Sequence, residues 1–273
     1  MSQFATRLKE VVERINIALD ALLPREQGSE SPLISAMRYA ALDGGKRLRP
    51  FFTLEVGRMF DADEAALLRA AVAVECVHTY SLIHDDLPCM DDDDLRRGRP
   101  TIHRAFDVPT ATRVGFLLVP VAGLVLSQAA QDLCLSAPVL GRMAGELFQA
   151  GGIEGMVGGQ WLDLEAERKQ LDLQGLIAVH RGKTGALIRA ACVLGGMAAE
   201  AHPDAVAALG GYGEEIGLAF QIADDVLDVT ATSAQLGKTA GRDAQLEKST
   251  YVSVLGVQQA RAEAVAHAAQ AIT

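Results

Sequence analysis

The sequence predicts an all-α fold, a single-domain antiparallel helix bundle spanning residues 1–273. Three observations predict it. Apolar residues recur at spacings of three and four, the signature of one stripe of an α-helix. No segment shows a convincing apolar–polar alternation of the kind a half-buried strand needs. Hydrophobic residues make up 49% of the chain, enough for a core broad enough to host a pocket between helices.

The elements follow in order. Phe4, Leu8, Val11, Val12, Ile15, Leu19 and Leu22 form one stripe, and this first helix ends at Leu23, before Pro24. The segment from Glu64 to about Asp86 is rich in Ala, Leu and Val nearly all round, which marks a central helix, with Asp61 and Asp63 as candidate N-caps. The apolar run from Val114 to Leu126 is broken by Pro120 and Gly123 and falls short of the roughly 20 residues of a bilayer span. It reads as a buried core helix within 113–131. Similar stretches at 138–158, 173–199, 204–228 and 249–271 are separated by turn signals such as Ala137-Pro138 and His202-Pro203. A bundle of roughly eight to ten helices follows, with no linker dividing it.

Twenty-five Lys and Arg against 35 Asp and Glu give a net charge of −10, which argues against nucleic acid and anionic lipid as partners. An anionic ligand must then meet a local cluster of cations or a bound metal. Cys76, Cys89, Cys134 and Cys192 are widely spaced with no CxxC pair, indicating neither a zinc site nor a disulfide framework. With charges throughout the N-terminal segment and no secretory apolar run, a cytoplasmic protein without a membrane span is expected.

Two acidic clusters carry the chemistry. In DDVLD, Asp224 and Asp228 stand at i,i+4, on one helix face within about 6 Å, with Asp225 between them and apolar neighbours around. Carboxylates so close repel, and a cation relieves them. Oxygen ligands without His or Cys select a hard ion, Mg²⁺ with Mn²⁺ as the alternative, and Mg²⁺ keeps waters and shares substrate phosphates. The second cluster, HDDLPCMDDDDLRRG, places Asp85, Asp86 and Asp91 at the end of another apolar helix, followed by Arg96 and Arg97. A single acidic run is most simply a solvated loop; two, each at the end of an apolar helix, are not. The run lacks the Gly and terminal Glu of an EF-hand, and His84-Asp85 lacks the further histidines of an HD phosphohydrolase. Gly44-Gly45-Lys46-Arg47-Leu48-Arg49-Pro50 sets three cations after a flexible Gly pair, which suits a turn leading into a helix or the grip of a diphosphate. Two different diphosphate sites are implied, one built on Lys46, Arg49 and Arg97, the other on Asp and Mg²⁺.

GGKRLRP, HTYSLIHDDLPCMDDDDLRRGRPTIH, MVGGQWLDL, HRGKTGALI, FQIADDVLD and GKTAGRDAQLEKSTYV occur in this order. In this the sequence resembles the short-chain trans-polyprenyl diphosphate synthases, most of all the bacterial farnesyl diphosphate synthases, from about residue 35 to 255. The resemblance implies the class I isoprenoid synthase fold with a central active-site cavity. It implies a reaction in which an allylic diphosphate (dimethylallyl or geranyl) ionises, isopentenyl diphosphate attacks, and a proton is lost, with the released diphosphate as base. Three Mg²⁺ would be held by Asp85, Asp91 and Asp224, with Asp86, Asp225 and Asp228 completing or orienting that shell. Arg96, Lys183, Gln221 and Lys238 would hold the allylic diphosphate, with Thr184 on the same wall. Lys46, Arg49, His78 and Arg97 would hold isopentenyl diphosphate. Gln160, Asp163 and Lys248 are supporting candidates, and a homodimer is expected.

Pro88 and Cys89 lengthen the first motif to DDxxxxD; Pro88 should end the helix and turn Asp91 back. Cys89, among carboxylates that disfavour a thiolate, is a spectator. Tyr80 precedes Asp85 by five residues, about 7.5 Å along the axis, where a growing tail would meet its ring. Ser81 is too small to add a second block. Family members with a bulky aromatic there tend to stop at fifteen carbons, so farnesyl diphosphate is the expected product, with geranylgeranyl or geranyl diphosphate as alternatives. A class I terpene cyclase would not need GGKRLRP, and a non-catalytic regulatory subunit tends to lose one Asp motif. Relatives usually continue for another helix beyond the equivalent of Thr273, so full activity is expected of a chain that carries that helix.

Overall fold

A computed structural model describes residues 3–25, 28–42, 44–166, 170–230 and 249–273, and among them every regular element but one small hairpin is a helix. The chain forms two compact units, residues 1–147 with 191–206, and residues 148–190 with 207–273.

The first unit holds α1 (Gln3–Leu22), α2 (Ser31–Ala41), α3 (Leu48–Met59), α4 (Glu64–Asp85), the strands β1 (Leu95–Arg96) and β2 (Arg99–Pro100), α5 (Ile102–Ala105), α6 (Val108–Asp132) and most of α7 (Ala137–Ala150). In α1 the predicted stripe is buried at Val11, Ile15 and Leu19, whereas Phe4 is exposed and meets the edge of Phe51. α4 is capped by Asp63, whose carboxylate accepts the Ala66 N–H. Most of its all-round apolar surface is buried, and each fully covered Leu or Val contributes about 1.5–3 kcal/mol. It is the central helix that the composition predicts.

α6 differs from expectation. It is capped by Asp107 and runs through Pro120, but only one face is buried, along Val114, Leu118, Ala122, Val125 and Ala129. Phe116, Leu117 and Leu124 on the other face are exposed. By length and composition α4 and α6 each pass for a bilayer-crossing helix, although the uninterrupted apolar run in α6 is short. α6 packs closely on α4 because Gly115 has no side chain; a Cβ there would lie 2.1 Å from His84 Nε2.

The second unit holds α8 (Met156–Glu165), α9 (Leu173–His180), a π-helical turn at Arg181–Gly185, the first residues of α10 (Ala186–Ala198), most of α11 (Pro203–Thr230), α12 (Tyr251–Leu255) and α13 (Val257–Ala271). Its core gathers Leu176, Leu218, Ile222, Val226, Tyr251 and Ala260.

The described residues form thirteen α-helices rather than eight to ten. The stretch at 138–158 breaks at Gly151–Gly155, that at 173–199 at the π-turn, and that at 249–271 at Gly256, whose φ of 80° no helix accommodates. The hairpin is also unforeseen. Arg97 (φ 54°) and Gly98 (φ 80°) form a two-residue turn of type I′ between strands too short to show alternation.

Candidate active site

In the first unit the loop between α2 and α3 turns through left-handed backbone at Gly44 (φ 76°), Gly45 (φ 113°) and Arg47 (φ 46°), the last being the N-cap of α3. Arg97 Nη1 donates to Gly44 O at 2.6 Å, and its guanidinium lies flat against Gly45, where a Cβ would stand 2.5 Å from Cζ. Arg49 Nη1 lies 3.2 Å from His78 Nε2. A guanidinium can only donate, so Nε2 accepts and the neutral ring carries its proton on Nδ1. Burial, then the charges of Arg49 and Arg97, hold His78 well below its ordinary pKa, so it is neutral at pH 7. Burial likewise lowers Arg49 to about 10, which leaves it charged. Arg49 Nε and His78 Nδ1 are covered N–H donors with no hydrogen-bond partner among the described residues. Two unspent donors on an arginine and a neutral histidine, beside exposed Lys46 and Arg97, suit an anion.

Seven residues on, α4 ends at Asp85 with Asp86 as C-cap, two residues before Pro88. The chain then folds back, as predicted from Pro88: the Asp91 N–H donates to Asp85 O at 2.9 Å and the Asp93 N–H to Asp86 O at 3.2 Å. Asp86 is buried and accepts from Arg96 Nε at 3.0 Å and from Arg96 Nη2. Burial pulls the Arg96 pKa down, but the Asp86 bond and the charges of Asp86, Asp85 and Asp91 hold it above its ordinary value. Asp86 therefore orients Arg96. Tyr39 steadies the hairpin carrying Arg96 and Arg97, donating to Pro100 O at 2.9 Å and lying under Arg99. Cys89 is an exposed free thiol.

Tyr80 is half-buried, its ring edge-on to His84 at 5.6 Å, and His84 is edge-on to Phe116 at 5.5 Å. Burial and the Asp85 charge raise the Tyr80 pKa. Ser81 is buried and its hydroxyl donates to His78 O at 2.9 Å.

In the second unit the π-turn carries Lys183 and Thr184 and lies in backbone contact with two helices. A Cβ on Gly159 of α8 would stand 2.0 Å from Lys183 N, and one on Gly217 of α11 would stand 2.8 Å from Gly185 Cα. That closeness lets Lys183 Nζ donate to Asp163 at 2.7 Å and Thr184 Oγ1 to Gln221 Oε1 at 2.8 Å. π-turns of this kind are frequent at functional sites. Asp225 is buried and fully engaged: it accepts the Tyr251 N–H at 2.8 Å and Gln221 Nε2 at 3.4 Å, and meets His180 Nε2 at 3.3 Å. Asp228 Oδ2 and both amide atoms of Gln160 are buried without partners among the described residues. Lys238 and Lys248 lie outside the described residues.

Among the described residues no three His, Cys, Asp or Glu side chains group closely enough to cage a metal alone. The donors nevertheless fit Mg²⁺, which takes one or two carboxylates and completes its shell with water and phosphate. All are oxygens, and Asp228 Oδ2 is buried with no partner among the described residues. Asp86 and Asp225 are engaged by protein donors. Sequence reasoning missed Tyr39, Asn16 and Glu75, and counted Arg47 among the three cations after the Gly pair without assigning it a partner; its side chain is buried. The only local signal for Glu75 is a charge in the middle of an apolar stretch of helix.

The family model described as "Polyprenyl synthetase" matches residues 30–273. The chain is 47% identical to the farnesyl diphosphate synthase of Escherichia coli (strain K12) over 262 residues, 96% of this chain and 87% of that one. It superposes with a TM-score of 0.85 and 39% identity on an apo FPP/GFPP synthase from Zymomonas mobilis, covering 98% of this chain and 90% of that one. With a geranyltransferase from Helicobacter pylori complexed with magnesium and isoprenyl diphosphate the TM-score is 0.86 at 32% identity, over 100% and 90% of the two chains. Motif order, helical architecture and these likenesses together make the chain a member of the polyprenyl synthetase family.

Proposed function

We propose that the chain is a prenyltransferase of isoprenoid biosynthesis that condenses isopentenyl diphosphate with dimethylallyl or geranyl diphosphate to give farnesyl diphosphate. The observation that carries this reading is on α4: His78, paired with Arg49, and Asp85 lie seven residues apart on one rigid helix. At 1.5 Å per residue, a metal-free anion grip and a carboxylate motif stand about 10 Å apart. A condensing enzyme needs two diphosphates held by different means at such a spacing.

Lys46, Arg49, His78 and Arg97 hold isopentenyl diphosphate. Arg96, Lys183, Thr184, Gln221 and, outside the described residues, Lys238 hold the allylic diphosphate. Asp85, Asp91 and Asp224 hold Mg²⁺, three ions in all with Mn²⁺ as a substitute, and Asp228 supports them; the metal supplies Lewis-acid neutralisation of the leaving diphosphate. The allylic C–O bond breaks with its electron pair going to that diphosphate. The isopentenyl double bond then attacks the cation, and the released diphosphate takes the proton. Incubation with geranyl and isopentenyl diphosphates and Mg²⁺ yields a fifteen-carbon diphosphate by mass spectrometry; absence of any condensation product defeats the reading.

Tyr80, beside His84, forms the floor under the growing tail. Tyr80→Ala shifts the product toward twenty carbons or more, and an unchanged product profile would show that another residue sets the length. The free thiols at all four cysteines suit a reducing cytoplasm. A homodimer is the proposed assembly, covering the exposed Phe116, Leu117 and Leu124 of α6. Phe116→Asp shifts the mass seen by light scattering from dimer to monomer, and a parent that is itself monomeric contradicts the assembly.

A further inference from the structure

We propose that Arg47 and Glu75 are the positioning pair of the isopentenyl diphosphate grip, setting its loop in the binding shape before substrate arrives. The proposal rests on reading Lys46, Arg49, His78 and Arg97 as that grip.

Arg47 sits in the middle of the GGKRLR cations, yet its side chain turns inward and is 1% exposed. Each guanidinium nitrogen is used on a different element. Nε donates to Asn16 Oδ1 of α1 at 3.1 Å, Nη2 to Ala41 O at the end of α2 at 2.7 Å, and Nη1 to Glu75 Oε1 of α4. Glu75, with 2% of its side chain exposed, is three residues before His78 and so on the same face of α4. The start of α3 is thus clipped to one stretch of α4 twice, by Arg47–Glu75 and by Arg49–His78.

Stability alone does not account for this arrangement. A buried ion pair loses the hydration of both charges, and well-packed apolar side chains of similar volume serve a core equally well. Glu75 Oε2 adds to that cost, being buried with no partner among the described residues. Arg47 also holds a φ of 46°, which a residue with a Cβ rarely adopts. Such an outlier persists only where its surroundings over-determine it, and here the three-way guanidinium fork does so. The directional bonds fix the turn that leaves Lys46 exposed on one side of Arg47 and brings Arg49 onto His78 on the other. A loop ordered in advance binds its anion without the entropy of ordering at that moment. Glu75 also neutralises Arg47, so the charge left facing an anion is that of Lys46, Arg49 and Arg97.

The test is steady-state kinetics of Arg47→Met combined with Glu75→Leu, an apolar pair that preserves the core. The expected result is a melting temperature near that of the parent, a KM for isopentenyl diphosphate raised about ten-fold, and a KM for geranyl diphosphate within about two-fold of the parent. A merely structural pair predicts that recovered stability brings recovered KM, and an unchanged KM for isopentenyl diphosphate overturns the proposal. If the double variant does not fold, Arg47→Lys, which keeps the charge and loses the fork, is read for the same two outcomes. Lys46→Ala in the same assay separates the failures. If it leaves the KM for isopentenyl diphosphate unchanged, the grip itself is misassigned and the proposal falls with it. If it raises that KM while the pair variants do not, only the positioning role is wrong.

Discussion

Asp85→Asn lowers kcat by about 10³-fold while the melting temperature stays within a few degrees of the parent, as read by product formation and thermal denaturation. Asn has the shape of Asp without its charge. The backbone bond that folds the motif back, Asp91 N–H to Asp85 O, does not involve the side chain and survives. What disappears is one negative charge at the end of α4, where the account needs a cation held against the leaving diphosphate. The loss falls on kcat because the missing interaction grows as the C–O bond breaks. A variant of near-parental kcat would remove Asp85 from the metal site.

Gly159→Ala costs about 10²-fold in kcat/KM for the allylic diphosphate, together with about 1–3 kcal/mol of stability. The added Cβ would lie 2.0 Å from Lys183 N and 2.5 Å from Gly182 C, both backbone atoms that cannot rotate away. The π-turn must move, and with it the bonds of Lys183 to Asp163 and of Thr184 to Gln221. Gly145→Ala is the control, since beyond its own helix backbone no atom of the described residues lies within 4 Å of its added methyl group, and it leaves activity unchanged. If both alanine variants behave alike, the close approach at Gly159 has no part in positioning the allylic wall.

Much of this was legible from residue order alone. Periodicity located α1, apolar composition located α4 and α6, and Asp63 and Pro24 bounded helices as their chemistry requires. The breaks at Gly151–Gly155, Arg181–Gly185 and Gly256 were not legible, because apolar periodicity continues across a short interruption and only backbone torsion reveals it. α6 read as fully buried since composition counts apolar residues without saying which face lacks a neighbour. Among candidate ligands, spacing alone did not divide the aspartates, and the resemblance gave Asp86, Asp225 and Asp228 as completing or orienting the shell; hydrogen bonds engage Asp86 with Arg96 and Asp225 with Tyr251, His180 and Gln221. Arg47 shows the same limit: its charge was visible, but its inward direction is decided by a partner 28 residues away.

The central claim is that one diphosphate is held by metal and carboxylates, the other by cations and a neutral histidine without metal. Calorimetric titration of the enzyme with each ligand, in Mg²⁺ and again in excess EDTA, tests it most directly. A non-reactive thio analogue of geranyl diphosphate should lose about 10²-fold or more in affinity when Mg²⁺ is removed, while isopentenyl diphosphate should change by no more than about three-fold. Equal dependence of both ligands on Mg²⁺, or independence of both, would contradict the account.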